Sequence, residues 1–171
     1  MDLFKTDFPL HLFHHGENFK TYDLMGAHPA VLNKKHGYVF RVWAPRAVSV
    51  SVIGDFNNWN ENSHFMQRMI DNETFELFIP NLKQFDTYKF CITAKDGRRL
   101  FKADPYAFHA ETRPDTASKF YDIEGYDWQD SKWMKTRKSK SAYESPMNIY
   151  EVHLGSWKVH GEEIFYSYRQ L

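Results

Sequence analysis

The chain has 171 residues, with 22 Lys+Arg against 22 Asp+Glu, a single cysteine, and an aromatic load of 15 Phe, 10 Tyr and 5 Trp. At about 100–200 residues per domain this length predicts one domain with an appendage. The balanced charge lacks the basic excess that nucleic acids or anionic membranes select, so neither is an expected partner.

Cys91 has no second thiol, which excludes an internal disulfide and a zinc–thiolate site and predicts a reducing, cytoplasmic setting. The opening residues, Met1 to Pro9, carry acids and a proline, so neither a signal peptide nor a membrane span is expected there. No later stretch approaches about 18 uncharged apolar residues. Mean hydropathy is low, at −0.65, so the aromatic load stands out. Rings fill cores, and exposed rings stack on ligands.

Residues 1–36 hold short apolar clusters (Leu10, Leu12, Phe13; Tyr22, Leu24, Met25) broken by Pro9, Gly16, Gly26 and Pro29, which predicts short helical pieces in an irregular arm. From Gly37 the period becomes two, the mark of half-buried strands. Tyr38, Phe40 and Val42 alternate with Val39, Arg41 and Trp43 until Ala44-Pro45, and Val48, Val50 and Val52 then face one way with Ser49 and Ser51 the other. Phe75, Leu77 and Ile79 repeat the pattern before Pro80, as do Tyr88, Phe90 and Ile92 after Gln84-Phe85-Asp86. Lys95-Asp96-Gly97-Arg98 is a hairpin signal, with Leu100-Phe101 on the returning strand. Short strands without intervening helices predict a mainly β chain, with a β-sandwich over residues 37–121.

Residues 122–146 are polar, with acids (Asp122, Glu124, Asp127, Asp130) before bases (Lys132, Lys135, Arg137, Lys138, Lys140), an order that suits the ends of a linker helix. In residues 147–155, Asn148, Tyr150, Val152 and Leu154 alternate with Ile149, Glu151 and His153, which predicts a strand; residues 164–171 resemble the first turns of a helix. A strand followed by a helix opens an α/β unit.

Among the nine histidines, His11, His14, His15 and Glu17 lie close in sequence but lack the His-Glu-x-x-His spacing that sets two imidazoles and a base on one helix face, so no metal is expected. Cys91, between Phe90 and Ile92 on a predicted strand, reads as a packed or surface thiol and not as a nucleophile. No phosphate-binding glycine loop or nucleophile elbow is present, and no cofactor is expected. The strongest local feature is Gly54-Asp55-Phe56-Asn57-Asn58-Trp59-Asn60, directly after the valine strand. It supports two readings. In one, the turn presents an indole flanked by amides, which is what a sugar ring with an apolar face and a hydroxyl rim requires. In the other, Trp59 caps the sandwich and the asparagines satisfy the turn.

Gly54-Asp55-Phe56-Asn57-Asn58-Trp59 together with Tyr88-Lys89-Phe90 resembles the family 48 carbohydrate-binding modules, immunoglobulin-like β-sandwiches of glycogen-acting enzymes and of the AMP-activated kinase β-subunit. Further motifs resemble the amino-terminal part of bacterial 1,4-α-glucan (glycogen) branching enzymes. They are Leu24-Met25-Gly26-Ala27-His28-Pro29, Val42-Trp43-Ala44-Pro45-Arg46-Ala47, Lys102-Ala103-Asp104-Pro105-Tyr106-Ala107-Phe108, Glu111-Thr112-Arg113-Pro114-Asp115-Thr116-Ala117-Ser118 and Tyr150-Glu151-Val152-His153-Leu154-Gly155-Ser156-Trp157. The resemblance covers essentially residues 10–171.

It implies a parent enzyme that cuts an α-1,4-glucan and rejoins the piece through an α-1,6 bond, using carboxylates of a (β/α)8 barrel with a covalent glycosyl intermediate. The motifs carrying those carboxylates are absent here, and a barrel needs roughly 250 residues. Residues 1–36 are then an arm, 37–121 the module, 122–146 a linker, and 147–171 the first strand and part of the first helix of a truncated barrel, inert by itself. Residues 147–171 are expected to be poorly anchored without neighbouring strands and helices. The implied partners are α-1,4-glucan and, within the parent, the barrel onto which the module docks.

The resemblance assigns Trp59 and Lys89 as the glucan-contacting pair, Asn57 and Asn58 as supporting amides, and Tyr150 as the residue stacking on the sugar at the cleavage subsite, with plain strand packing as its alternative. Kinase-type modules carry a second tryptophan after the Asp-Gly turn. Arg98, Arg99 and Leu100 stand here instead, so the platform loses one wall. A stand-alone glucan-binding module and a debranching relative are the competing readings; the 147–171 segment speaks against the first, and the Gly26-Ala27-His28-Pro29 and Tyr150 to Trp157 motifs against the second.

Overall fold

A computed structural model describes residues 6–139, 141, 143–161 and 164–171. The chain divides into two compact units, Met1–Gly125 and Tyr126–Leu171. In the first unit, helix α1 (Asp7–His14) and a 3-10 turn (Thr21–Asp23) precede the strands β1 (Gly26–Leu32), β2 (Lys35–Trp43), β3 (Ala47–Gly54), β4 (Gln67–Arg68), β5 (Thr74–Pro80), β6 (Thr87–Ala94), β7 (Arg99–Lys102), β8 (His109–Ala110) and β9 (Ser118–Lys119). One antiparallel sheet runs β1-β2-β5-β4. The other runs β3-β6-β9-β8, with β7 also on β6.

The alternating residues meet between the sheets as expected. Tyr38, Phe40 and Val42 of β2 and Phe75 and Ile79 of β5 pack against Val50 and Val52 of β3 and Tyr88 and Phe90 of β6. Phe120 sits at the centre, its ring 4.6 Å from Tyr88 and 4.8 Å from Tyr38 in stacked geometry and 5.4 Å from Phe40 edge to face. Each such ring contributes roughly 1.5–3 kcal/mol on burial, so part of the aromatic surplus is core. The Asp96-Gly97 hairpin forms as read, with Gly97 at φ +83 and Ala94 N–H donating to Arg98 O at 2.9 Å.

Three expectations change. Gly26–Leu32, placed in an irregular arm, is strand β1, paired with β2 from Gly26↔Arg41 to Leu32↔Lys35. Pro29 hid it, because proline suits only an edge strand or a bulge. Its link to β2, Asn33-Lys34, has two positive φ angles (50 and 64), the backbone of a tight hairpin turn. Second, the register of β3 shifts between Ala47 and Ser49, so Val48 is 56% exposed and Ala47 takes the inward position instead. Third, β2 is buried on both faces. The arm covers its outer side, where Leu10, Leu24, Met25 and Met69 form a second small core and Arg41 is paired with Glu76.

In the second unit the linker helix is the six-residue α2 (Ser131–Thr136), and its first turn holds no acid. The acids at 122–130 therefore precede the helix and do not cap it in the expected way. The strand expected over 147–155 does not form: 146–153 has no regular structure, and α3 (Leu154–Trp157) follows. A parallel barrel strand takes its hydrogen bonds from flanking strands, and among the described residues none pairs with this segment. The helix expected over 164–171 is likewise replaced by a short hairpin, β10 (Val159–His160) with β11 (Ile164–Phe165), and a turn. Residues 162 and 163 lie outside the described residues. Ile149 (82%) and Trp157 (55%) are exposed, in keeping with apolar residues that lack cover.

Candidate functional site

Strand β3 ends at Gly54, where the chain passes so close to β6 that an added Cβ would lie 2.2 Å from Thr87 O. A 3-10 turn (Asp55–Asn57) follows, and Asn58 and Trp59 both adopt the left-handed conformation, with φ 52 and 58. The turn throws the indole outward: Trp59 is 38% exposed, and Asn58 is exposed beside it.

Asp55 fixes that indole. Its Oδ1 accepts from Trp59 Nε1 at 3.2 Å, and its Oδ2 accepts from Thr87 N at 3.0 Å and Thr87 Oγ1 at 2.7 Å. Burial pushes the Asp55 carboxyl up, but the two Thr87 bonds, the indole bond and nearby Lys119 outweigh it and hold the group below the usual carboxylate range. A carboxylate with a depressed folded pKa contributes its stabilisation above the unfolded value and loses it as pH falls through the folded one. The Trp59 indole N–H resonance is therefore expected to shift on acidification with a midpoint below about 3.9. A midpoint at or above that value would refute the clamp.

Asn57 turns inward. Its Oδ1 accepts from Gly54 N at 3.0 Å, and its Nδ2 donates to Val52 O at 3.0 Å and lies 3.1 Å from both Ser63 Oγ and His64 Nδ1. The side chain ties the turn to β3 and to the loop beyond it. Asn57→Ala is expected to cost about 1–3 kcal/mol in urea unfolding, because it strands the half-buried groups it now satisfies; a change within ~0.5 kcal/mol would contradict that role.

Lys89 lies on β6 two residues after Thr87, hence on the same outer face and about 7 Å further along the strand. Its Nζ donates to Thr116 Oγ1 at 2.8 Å. Asp55 thus ties the Trp59 indole to the strand that carries Lys89, Asn58 is exposed next to Trp59 in the same turn, and Asn57 faces inward. Tyr150 belongs to the second unit, where it is 76% exposed with its ring 6.1 Å from that of Trp157 in edge geometry. Asp55 and Thr116 went unassigned in the sequence: Asp55 carried a visible Asp-x-x-x-Trp spacing, while nothing local marks Thr116.

Cys91 is buried on this sheet, and burial followed by the Glu61 charge pushes its thiol up, which suits a packed residue. His14 Nε2 lies 2.8 Å from Asp71, and among the described residues no group of three or more His, Cys, Asp or Glu could hold a metal ion.

Residues 24–107 match the family model for carbohydrate-binding module 48 (isoamylase N-terminal domain). This segment is a family 48 carbohydrate-binding module. The matched residues begin at Leu24 and so include β1. The chain is 51% identical over 166 residues to the 1,4-alpha-glucan branching enzyme GlgB of Bacillus subtilis (strain 168), covering 97% of this chain and 26% of that protein. It is 48% identical over 163 residues to the enzyme of the same name from Butyrivibrio fibrisolvens, covering 94% and 26%. It corresponds to the N-terminal part of these relatives and spans about a quarter of their length. Among solved structures, a putative alpha amylase from Salmonella typhimurium aligns over 64% of this chain and 16% of its own, at 22% identity and TM-score 0.49. Among the described residues no helix is long and apolar enough to cross a membrane.

Proposed function

We propose that the chain is the N-terminal portion of a cytoplasmic 1,4-alpha-glucan branching enzyme of glycogen biosynthesis, and that by itself it binds α-1,4-glucan without catalysing transfer. The observation that carries the binding half is the outward Trp59 indole, held by Asp55 on the same face as the Lys89 ammonium. A flat apolar ring beside hydrogen-bond donors matches the C–H face and hydroxyl rim of a glucosyl unit. Within that site Trp59 stacks, Lys89 and Asn58 donate to hydroxyls, and Asn57 shapes the turn from beneath.

The enzymatic half draws on the named relatives, of which this chain spans only the N-terminal quarter. In the whole enzyme the module docks on the catalytic barrel, and residues 147–171 form its first strand and helix. The exposed Ile149, Tyr150 and Trp157 support that reading, since burial in a barrel would cover them. Tyr150 then stacks on the sugar at the cleavage subsite. The lone buried Cys91 supports a reducing compartment.

Electrophoresis through a glycogen-containing gel tests the binding half: the chain is expected to be retarded relative to a glucan-free gel. Equal mobility in both gels would overturn it. Incubation with amylose is expected to leave the iodine colour unchanged, and a loss of colour would overturn the absence of catalysis.

A further inference from the structure

The geometry points to Phe101 as the second ring of the platform, so that a maltooligosaccharide lies across β6 with one end on Trp59 and the other on Phe101. This rests on the glucan reading of the Trp59 face.

The register of the second sheet carries the argument. On β6, Tyr88 and Phe90 point into the core, so Thr87, Lys89 and Cys91 share the outer face. Thr87 shares the Asp55 carboxylate with the Trp59 indole, so it marks the tryptophan end. Cys91 is directly opposite Phe101 of β7. Phe101 is therefore on the same outer face, and it is 47% exposed. Thr87 to Cys91 is four residues of strand, about 13 Å. Two rings stand at the ends of that strip, and the Lys89 ammonium, bonded to Thr116, stands between them.

Beyond Phe101 the strip is closed. Arg99, opposite Thr93, has its guanidinium ion-paired with Glu61 and donates to Asn62 Oδ1 at 2.9 Å. The N–H edge of Arg99 is thereby taken up by the Glu61–Asn62 loop. Ser51, opposite Cys91 on β3, donates to Glu61 O at 2.9 Å, which brings the same loop over the sheet on that side. A ligand on this strip meets apolar, polar and apolar positions in turn. That order fits an oligomer of several sugar units, each with an apolar face, better than a single sugar.

Maltoheptaose titrations of the 171-residue chain, followed by NMR shifts of backbone amides, test this. Phe101→Ala and Phe101→Leu are each expected to weaken binding about 5–15-fold, while Phe101→Tyr, which keeps the flat face, stays within about 2-fold. The leucine variant preserves apolar bulk on the sheet, so it decides the matter if the alanine variant fails to fold. Maltose, too short to reach both rings, is expected to bind the unchanged chain and the Phe101→Leu variant alike. Phe101→Leu binding maltoheptaose as the unchanged chain does, while Trp59→Ala loses it, would overturn the role of Phe101 and leave the Trp59 site standing. An unchanged chain that binds no maltoheptaose would overturn both.

Discussion

Glu76→Ala is expected to lower unfolding stability by about 3–5 kcal/mol, a large share of the roughly 5–15 kcal/mol that holds a typical domain. The Glu76 side chain is fully buried, and that of Arg41 is 7% exposed. Arg41 Nε and Nη2 both reach Glu76 Oε2, at 2.9 and 2.8 Å, and Nη1 donates to Leu24 O at 3.3 Å. The two residues face each other directly across β2 and β5. Removing the carboxylate leaves a guanidinium under the arm without the charge that compensates its lost hydration. Removing both charges is a different matter: Arg41→Met with Glu76→Leu is expected to be neutral or stabilising by about 1–4 kcal/mol, because neither desolvation cost remains. Urea unfolding of the three proteins checks this, and a Glu76→Ala variant within ~1 kcal/mol of the unchanged chain would sink the account.

Trp59→Ala is expected to abolish retardation by glycogen and to weaken maltoheptaose binding by at least about tenfold, as loss of a central aromatic anchor does. Stability is expected to change by less than about 1 kcal/mol, since the indole is more than one-third exposed and the turn beneath it is held by Asn57 and Asp55. Trp59→Phe separates the two contributions of the residue. It keeps a ring but loses the N–H that Asp55 accepts, so an intermediate affinity is expected. Undiminished retention of Trp59→Ala on a glycogen gel would contradict stacking and favour the reading in which Trp59 merely caps the sandwich.

Much of this fold is legible in the sequence because a sheet with one buried face writes its period into the chain. Tyr38, Phe40 and Val42, or Tyr88 and Phe90, could hardly alternate so and be helical. Strand β1 escaped the reading because its partner supplies the pattern: Gly26–Leu32 is an edge, and its burial alternates only weakly. The bulge at Val48 was hidden for a related reason, since Val48, Val50 and Val52 continue the period past the point where the backbone breaks it. Residues 147–155 show the converse. Their alternation is real, but alternation specifies a strand only where another strand accepts its hydrogen bonds.

The site divides along the same line. Trp59 and the turn that presents it are local, so glycine and asparagine chemistry pointed to them. Asp55, which holds the indole, lies only four residues before it, but the Thr87 groups that anchor Asp55 lie 32 residues further on, and no local pattern reports that second contact. By residue type Asn57 fits a ligand-facing amide as well as a turn-holding one, and only its inward hydrogen bonds distinguish the two roles. Phe101 was visible as part of a returning strand, but which face it occupies depends on the register with Cys91.

The Asn57 amide and the Asp55 carboxylate have a thermodynamic corollary. Between them they hold the turn at both ends before any ligand arrives, so the indole has little rotational freedom left to surrender on contact. Association that orders few side chains loses little entropy to immobilisation. A glucan reaching this face would meet a plate already at its working angle, and its residence there would be set by the contacts themselves.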